Sequence, residues 1–74
     1  MDYRERIRAL REDNDYTQTQ IANILNVGQR TYADYELGKT RIPVDSLMKL
    51  AKFYNVSMDY ISGTSDKRMP YPTE

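Results

Sequence analysis

Two short helical patterns stand on either side of residues 26–28, so close together that only a tight turn can join them. The first pattern opens with Thr17 and Gln20, which have the spacing of a capping box, where each side chain accepts a hydrogen bond from the other residue's backbone N–H. Asn26 tolerates the left-handed conformation in which helices end, and Gly28 is a permissive N-cap for the second pattern. The sequence therefore predicts two short helices joined by a tight turn.

Further helical patterns flank this pair, and no alternation typical of β-strands has a useful length. A first helix is predicted from about Asp2 to Asp13, a fourth from near Pro43, and a short fifth between Ser57 and Gly63. The third helix ends where a glycine follows its last helical position. We therefore predict an all-α fold, a compact bundle of about five short helices.

The predicted helices occupy residues 1–63, which form one domain. Residues 64–74 contain Pro70 and Pro72 and are predicted to be a flexible C-terminal tail. A domain of this size buries only about 60% of the surface that its unfolded chain exposes, so it has little room for a substrate cavity. An enzyme is therefore not expected.

Composition excludes further classes of function, because the 74 residues include no cysteine and no histidine. Thiol and imidazole chemistry and the metal sites that use these side chains are excluded, and we expect no metal and no cofactor. A small secreted domain would usually need disulfides, and no apolar run approaches the ~20 residues of a membrane span. The charged N-terminus is unlike a signal peptide. A cytoplasmic protein without a membrane partner is expected.

The predicted third helix, which runs from Gly28 to about Leu37 and stops at Gly38, has two different faces. Tyr32 and Tyr35 share one face with Glu36, and the other face carries five further residues, namely Gln29, Arg30, Ala33, Asp34 and Leu37. Glutamine and arginine read adenine and guanine edges by paired hydrogen bonds. Two short helices joined in this way form a helix-turn-helix, whose second helix enters the DNA major groove.

The stretch YTQTQIANILNVGQRTYADYELGKTRIP, residues 16–43, resembles the helix-turn-helix of the phage-repressor family of Cro and Xre type. The stretch LMKLAKFYNVSMDYISG, residues 47–63, resembles the part of that family that follows the motif, and the likeness covers about residues 3–63. Two positions depart from the family pattern. Asn26 stands where glycine is common, and Gly28 stands where a serine or threonine cap is common, so one phosphate-contacting hydroxyl is missing.

The resemblance implies a lambda-repressor-like domain that binds specific double-stranded DNA sequences as a transcriptional regulator, a repressor rather than an activator. Because one such unit reads few base pairs, we expect it to bind a palindromic operator as a homodimer, with the third helix in the major groove. No small-molecule ligand is expected. The residues facing the bases would be Gln29, Arg30, Ala33 and Asp34. The residues contacting phosphates would be Thr17, Gln18, Lys39, Thr40 and Arg41. Arg11 and Glu36 would form a structural pair between the first and third helices.

Several alternatives stay open at this level. Eleven basic and eleven acidic residues balance, so attraction to DNA depends on an uneven distribution of charge. Arg30 and Asp34 stand four residues apart and can pair with each other instead of meeting DNA. Lys39 and Arg41 can be part of an ordinary solvated loop. The fold also serves protein-interaction modules such as antitoxins, which would bind a protein partner.

Overall fold

The computed structural model describes residues 1–72, and five α-helices account for most of this part of the chain. No strand occurs among these residues, which confirms the predicted all-α fold. The bundle measures 31 × 23 × 23 Å along its principal axes. The helices in chain order are α1 (Tyr3–Asp13), α2 (Gln18–Leu25), α3 (Gln29–Leu37), α4 (Val44–Tyr54) and α5 (Met58–Ile61).

Local hydrogen bonds explain where the helices begin. The carboxylate of Asp2 accepts a hydrogen bond from the backbone N–H of Arg4 at 2.9 Å and caps α1. Thr17 caps α2, with both hydrogen bonds of the predicted capping box present. Ser57 caps α5 by accepting from the N–H of Tyr60. Pro43 was expected in the first turn of α4. It is the N-cap instead, one position earlier, because its ψ of 148° is extended rather than helical.

Three of the described helices, α2, α3 and α4, end in left-handed residues. Asn26 ends α2 with φ of 62°, and Asn55 ends α4 with φ of 55°. Gly38 ends α3 with φ of 79°, a conformation that costs glycine little and most other residues more. These short ends keep the connections between helices tight and place α3 directly after α2.

The core lies between all five helices and consists mostly of side chains that the helical periodicity predicts to face inward, with Ile42 and Val56 added from the connections. α2 and α3 pack most closely against each other, and α1 crosses α3. Tyr32 and Tyr35 of α3 are buried in this core with their rings edge to face. The core residues are Ile7, Leu10, Ile21, Ala22, Leu25, Tyr32, Tyr35, Ile42, Leu47, Leu50, Ala51, Tyr54, Val56 and Ile61.

Residues 64–72 run back along α5 and the end of α4. The backbone carbonyl of Met69 accepts a hydrogen bond from the N–H of Ser57 at 2.8 Å. Asp66 lies 2.9 Å from the guanidinium of Arg6, and the N–H of Tyr71 donates to Asn55. These contacts were not expected for a tail. Its flexibility and the domain limit at residue 63 stay predictions, and residues 73–74 of the predicted tail lie outside the described residues.

The helices that the structure describes between residues 1 and 72 are all shorter or more polar than a membrane-spanning helix would be.

Candidate nucleic-acid interface

The α2–turn–α3 unit is built so that one face of α3 stays outside the core. The turn comprises Asn26, Val27 and Gly28, and the N–H of Val27 donates to the carbonyl of Ala22 at 3.0 Å. Val27 packs against the core and fixes the angle between the two helices. This arrangement presents the N-terminal residues of α3 at the surface, as in a helix that enters a DNA groove.

The two faces of α3 differ in burial as the sequence predicts. Tyr32 is completely buried and Tyr35 nearly so. On the opposite side Gln29 and Arg30 are exposed, while Ala33 and Asp34 are half-buried. The two exposed side chains at the start of α3 are therefore accessible to a partner, and the small side chain of Ala33 beside them leaves space for close approach.

Arg30 and Asp34 do not pair in this structure. The ion pairs formed among residues 1–72 are Asp2 with Arg4, Arg6 with Asp66, Arg8 with Glu12 and Arg11 with Glu36. The carbonyl of Asp34 instead accepts hydrogen bonds from the N–H groups of Lys39 and Thr40. The Arg30 guanidinium is thus not held by its neighbour on the helix.

Glu36 is the centre of a polar network beneath this surface. Arg11 donates two hydrogen bonds to the Glu36 carboxylate, from Nε at 2.8 Å and from Nη2 at 3.1 Å. Gln18 donates a third from Nε2 at 3.2 Å. The Glu36 side chain is only 4% exposed and that of Arg11 13%, so the pair is largely withdrawn from water. The structure therefore places the predicted structural pair in contact and adds Gln18 to it.

Burial raises the pKa of the Glu36 carboxyl, but the hydrogen bonds and charge of Arg11, together with the nearby Tyr32 hydroxyl and Gln18 amide, outweigh this effect and leave the pKa below its ordinary value. The hydrogen bonds that Arg11 donates to Glu36 raise the pKa of Arg11. Both groups therefore stay charged near neutral pH, and the network keeps its form there.

Gln18 connects this network to the exposed start of α3. Its Oε1 accepts a hydrogen bond from Nε2 of Gln29 at 2.7 Å. Because a glutamine amide carries two N–H hydrogens and one carbonyl oxygen, Gln29 keeps one donor and its acceptor for a further partner. Arg11, Glu36, Gln18 and Gln29 thus form a continuous chain of contacts. Through this chain Gln18, a predicted phosphate-contacting residue, holds the predicted base-contacting side chain of Gln29 in place. The sequence gives no sign of this link, because it joins residues 11 positions apart on two helices.

The loop after α3 is fixed by its backbone and exposed through its side chains. The N–H groups of Lys39 and Thr40 donate to the carbonyl of Asp34 at 3.0 and 3.3 Å, which ties the loop to the last turn of α3. The side chains of Lys39, Thr40 and Arg41 are exposed. Thr17 is also exposed, and its hydroxyl oxygen accepts the capping hydrogen bond from Gln20 while its hydrogen stays available.

Comparison with known proteins agrees with this geometry. The helix-turn-helix family model, of Cro and C1 type, matches residues 7–61. The HTH-type transcriptional regulator YobD of Bacillus subtilis is 37% identical over 68 residues, which cover 92% of this chain and 61% of that protein. The cryptic phage CTXphi transcriptional repressor RstR of Vibrio cholerae is 36% identical over 64 residues, which cover 86% of this chain and 58% of that protein.

A solved structure gives the same result for the fold. The crystal structure of a transcriptional regulator from Listeria innocua superposes with a TM-score of 0.82 at 30% sequence identity, covering 89% of this chain and 62% of that one. This chain spans about three fifths of the length of these relatives. With a family match over most of the chain and the same arrangement of helices, the protein belongs to the helix-turn-helix family of Cro and C1 type.

Proposed function

We propose that the chain binds specific double-stranded DNA sequences and regulates transcription, with α3 in the major groove. The observation that carries this proposal is the exposed start of α3, where Gln29 is held by Gln18 and Arg30 is free of its helix neighbours. Preorganised glutamine and arginine side chains suit the edges of adenine and guanine. The names of the relatives, which are transcriptional regulators, support the same function.

In this proposal the residues divide into two groups with different tasks. Side chains at the start and middle of α3 face the bases, and those at the start of α2 and after α3 contact the phosphates on either side of the groove. The base-facing group consists of Gln29, Arg30, Ala33 and Asp34. The phosphate-contacting group consists of Thr17, Gln18, Lys39, Thr40 and Arg41.

We further propose that the protein acts as a repressor and binds a palindromic operator as a homodimer. One α3 helix reads few base pairs, and a two-fold symmetric pair would read two half-sites about one helical turn apart. RstR is named a transcriptional repressor, which supports the choice of repression. We propose no cofactor and no small-molecule ligand, and a cytoplasmic location, where a bacterial or phage regulator meets its DNA.

The alternative of an antitoxin or adaptor that binds a protein through the same fold is less well supported. The exposed start of α3 presents Gln29 and Arg30, which suit base edges better than an apolar groove on a protein partner. The relatives described above are named for regulation of transcription rather than for neutralising a toxin.

Selection of bound sequences from a random duplex DNA pool tests the proposal. We expect a two-fold symmetric motif to be enriched at near-physiological salt. Enrichment of a single half-site would contradict the homodimer, and the absence of enrichment with folded protein would contradict sequence-specific binding. The double variant Gln29→Ala, Arg30→Ala is the matched control, because both side chains are exposed and their loss should abolish enrichment without unfolding the protein.

A further inference from the structure

A polar recess lies beside the loop that follows α3, at the start of α1. Its volume is about 450 Å³. The two guanidinium groups of Arg4 and Arg41 supply its positive charge, and Asp2 supplies a negative one. The lining residues are Asp2, Tyr3, Arg4, Gly38, Arg41 and Ser62.

Arg4 reaches this loop because Gly38 has no side chain. A Cβ atom at Gly38 would collide with Nη1 of Arg4 and crowd the Cδ atom of the same side chain. The guanidinium therefore lies directly over the residue that ends α3 and precedes Lys39. Gly38 thus serves two purposes, since its positive φ ends the helix and its missing side chain admits Arg4.

Asp2 holds Arg4 in this position. The carboxylate accepts hydrogen bonds from Nε of Arg4 at 3.2 Å and from Nη2 at 2.7 Å. The Arg4 side chain is still 43% exposed, so part of the guanidinium faces solvent in the recess. Two arginines against one aspartate leave the recess with a positive charge, although the whole chain is neutral.

We propose that Arg4 and Arg41 together bind a phosphodiester group of the DNA backbone in this recess, so that the interface extends from α3 to the start of α1. The inference rests on the proposed DNA-binding function. Guanidinium groups match phosphate oxygens with paired hydrogen bonds, and the recess adjoins the exposed side chains of Lys39 and Thr40. A DNA backbone that runs along this loop would contact Arg4 next.

Asp2 has two opposing effects on phosphate binding. It orients Arg4, but it also competes with a phosphate for the guanidinium and repels the negatively charged DNA backbone. Replacing it with asparagine keeps a side-chain acceptor for the N–H of Arg4, because asparagine caps helices as well as aspartate does. Asp2→Asn should therefore strengthen DNA binding, and Arg4→Gln should weaken it.

The test measures affinity for a duplex that carries the selected motif and flanking sequence on both sides, as a function of salt concentration. Removing one phosphate contact should lower the slope of log Kobs against log salt by about 0.9 in magnitude and lower the affinity about fivefold at ~0.15 M salt. We expect this result for Arg4→Gln. For Asp2→Asn we expect the affinity for DNA to rise about twofold, which is the size expected when one interaction between exposed charges is removed.

Two variants on the same helix serve as matched controls. Arg8 and Glu12 form an exposed pair with a distance of 3.5 Å, away from the recess. Arg8→Gln and Glu12→Gln change the net charge by the same amounts as Arg4→Gln and Asp2→Asn. We expect each control to change the slope by much less than its counterpart at the recess.

The outcomes separate the inference from the proposed function. If the wild-type protein binds its motif and Arg4→Gln behaves as Arg8→Gln does, the recess holds no phosphate and the inference is wrong. If Arg4→Gln instead loses the same affinity at every salt concentration, with an unchanged slope, Arg4 supports the end of α3 and does not bind a phosphate. That result would also overturn the inference. If the wild-type protein binds no duplex, the proposed function itself fails. Thermal unfolding of each variant shows whether it is folded.

Discussion

At the scale of single residues, the ion pair between Arg11 and Glu36 connects the buried core to the exposed start of α3. The two side chains are largely buried and their hydrogen bonds satisfy one another, so the removal of either would leave a charge without its partner. Gln18 and through it Gln29 depend on the same carboxylate. The stability of the fold and the position of Gln29, which we propose to face DNA, are therefore coupled at Glu36.

We expect the protein to lose stability in acid through this carboxylate. The pKa of Glu36 is lower in the folded protein than its ordinary value of 4.5, so its charged form stabilises the fold at pH values above about 4.5. This contribution declines as the pH falls below 4.5 and through the lower pKa of the folded state. Urea unfolding between pH 7 and pH 3 measures the decline, and Glu36→Gln should flatten it.

At pH 7 the same variant should unfold with a free energy lower by about 3 kcal/mol, because Arg11 is left without its buried partner. Glu12→Gln is the control, since it removes a carboxylate from an exposed pair and should cost less than about 1 kcal/mol. Equal losses for the two variants would mean that the buried pair contributes no more than a surface pair.

Arg30 and Lys39 should affect DNA binding in different ways. We expect Arg30→Ala to lower the affinity for the selected motif by about 1–3 kcal/mol and to relax base choice at one position, because it removes a contact to a base edge. We expect Lys39→Ala to weaken binding to all sequences alike and to reduce the salt slope by about 1. Binding assays on motif and scrambled duplexes at several salt concentrations separate the two. A uniform loss for Arg30→Ala would make it a phosphate contact.

At the scale of the helices, the sequence is sufficient to predict most of the boundaries because caps are local. The Thr17–Gln20 box, the left-handed Asn26 and the stop at Gly38 depend on neighbours within a few positions and appear in the structure as predicted. The buried face of α3 follows from its helical period in the same way. The link between Gln18 and Gln29 could not be predicted, because it depends on how two helices cross.

We expect the loss of the α2 cap to affect both folding and binding. Thr17→Ala leaves the N–H of Gln20 without its side-chain acceptor and should lower the free energy of unfolding by about 1 kcal/mol. Because Gln18 is the first residue of α2, fraying there should also loosen its hydrogen bond to Gln29. Denaturant unfolding and DNA titration of the same sample measure the two effects.

Thr19→Ala is the matched control for this variant, since Thr19 is exposed one position beyond Gln18 and is not the cap. Thr19→Ala should change the free energy of unfolding by less than about 0.5 kcal/mol, as surface substitutions usually do. If Thr17→Ala behaved as Thr19→Ala does, the capping box would contribute nothing to the stability of α2.

At the scale of the whole molecule, the buried side chain of Arg6 is a second departure from the apolar core, in addition to the Arg11–Glu36 pair. Arg6 is 4% exposed and its guanidinium lies 3.8 Å from the centre of the Tyr60 ring. Its position, three residues after Tyr3 and four before Leu10, places it on the inward side of α1, which periodicity alone could have indicated. Its ionic partner Asp66 could not be found in this way, because it lies 60 positions later in a segment without helical pattern.

The segment from residue 64 to residue 72 should therefore contribute to the stability of the bundle. Ending the chain at Gly63 removes the Arg6–Asp66 pair and the hydrogen bond between Ser57 and Met69. Since Asp66 is 87% exposed, the pair is weak, and we expect a total loss of about 2 kcal/mol in the free energy of unfolding. Urea unfolding of the shortened and full chains measures this difference.

Two substitutions in the full chain show whether the loss comes from these contacts. Asp66→Asn should lower the free energy of unfolding by less than about 1 kcal/mol, and Lys67→Gln, at the exposed position next to it, should leave it unchanged. If the shortened chain unfolded at the same urea concentration as the full chain, residues 64–72 would be the flexible tail that their two prolines suggest. Arg6 would then be stabilised within the bundle by its contact with Tyr60 alone.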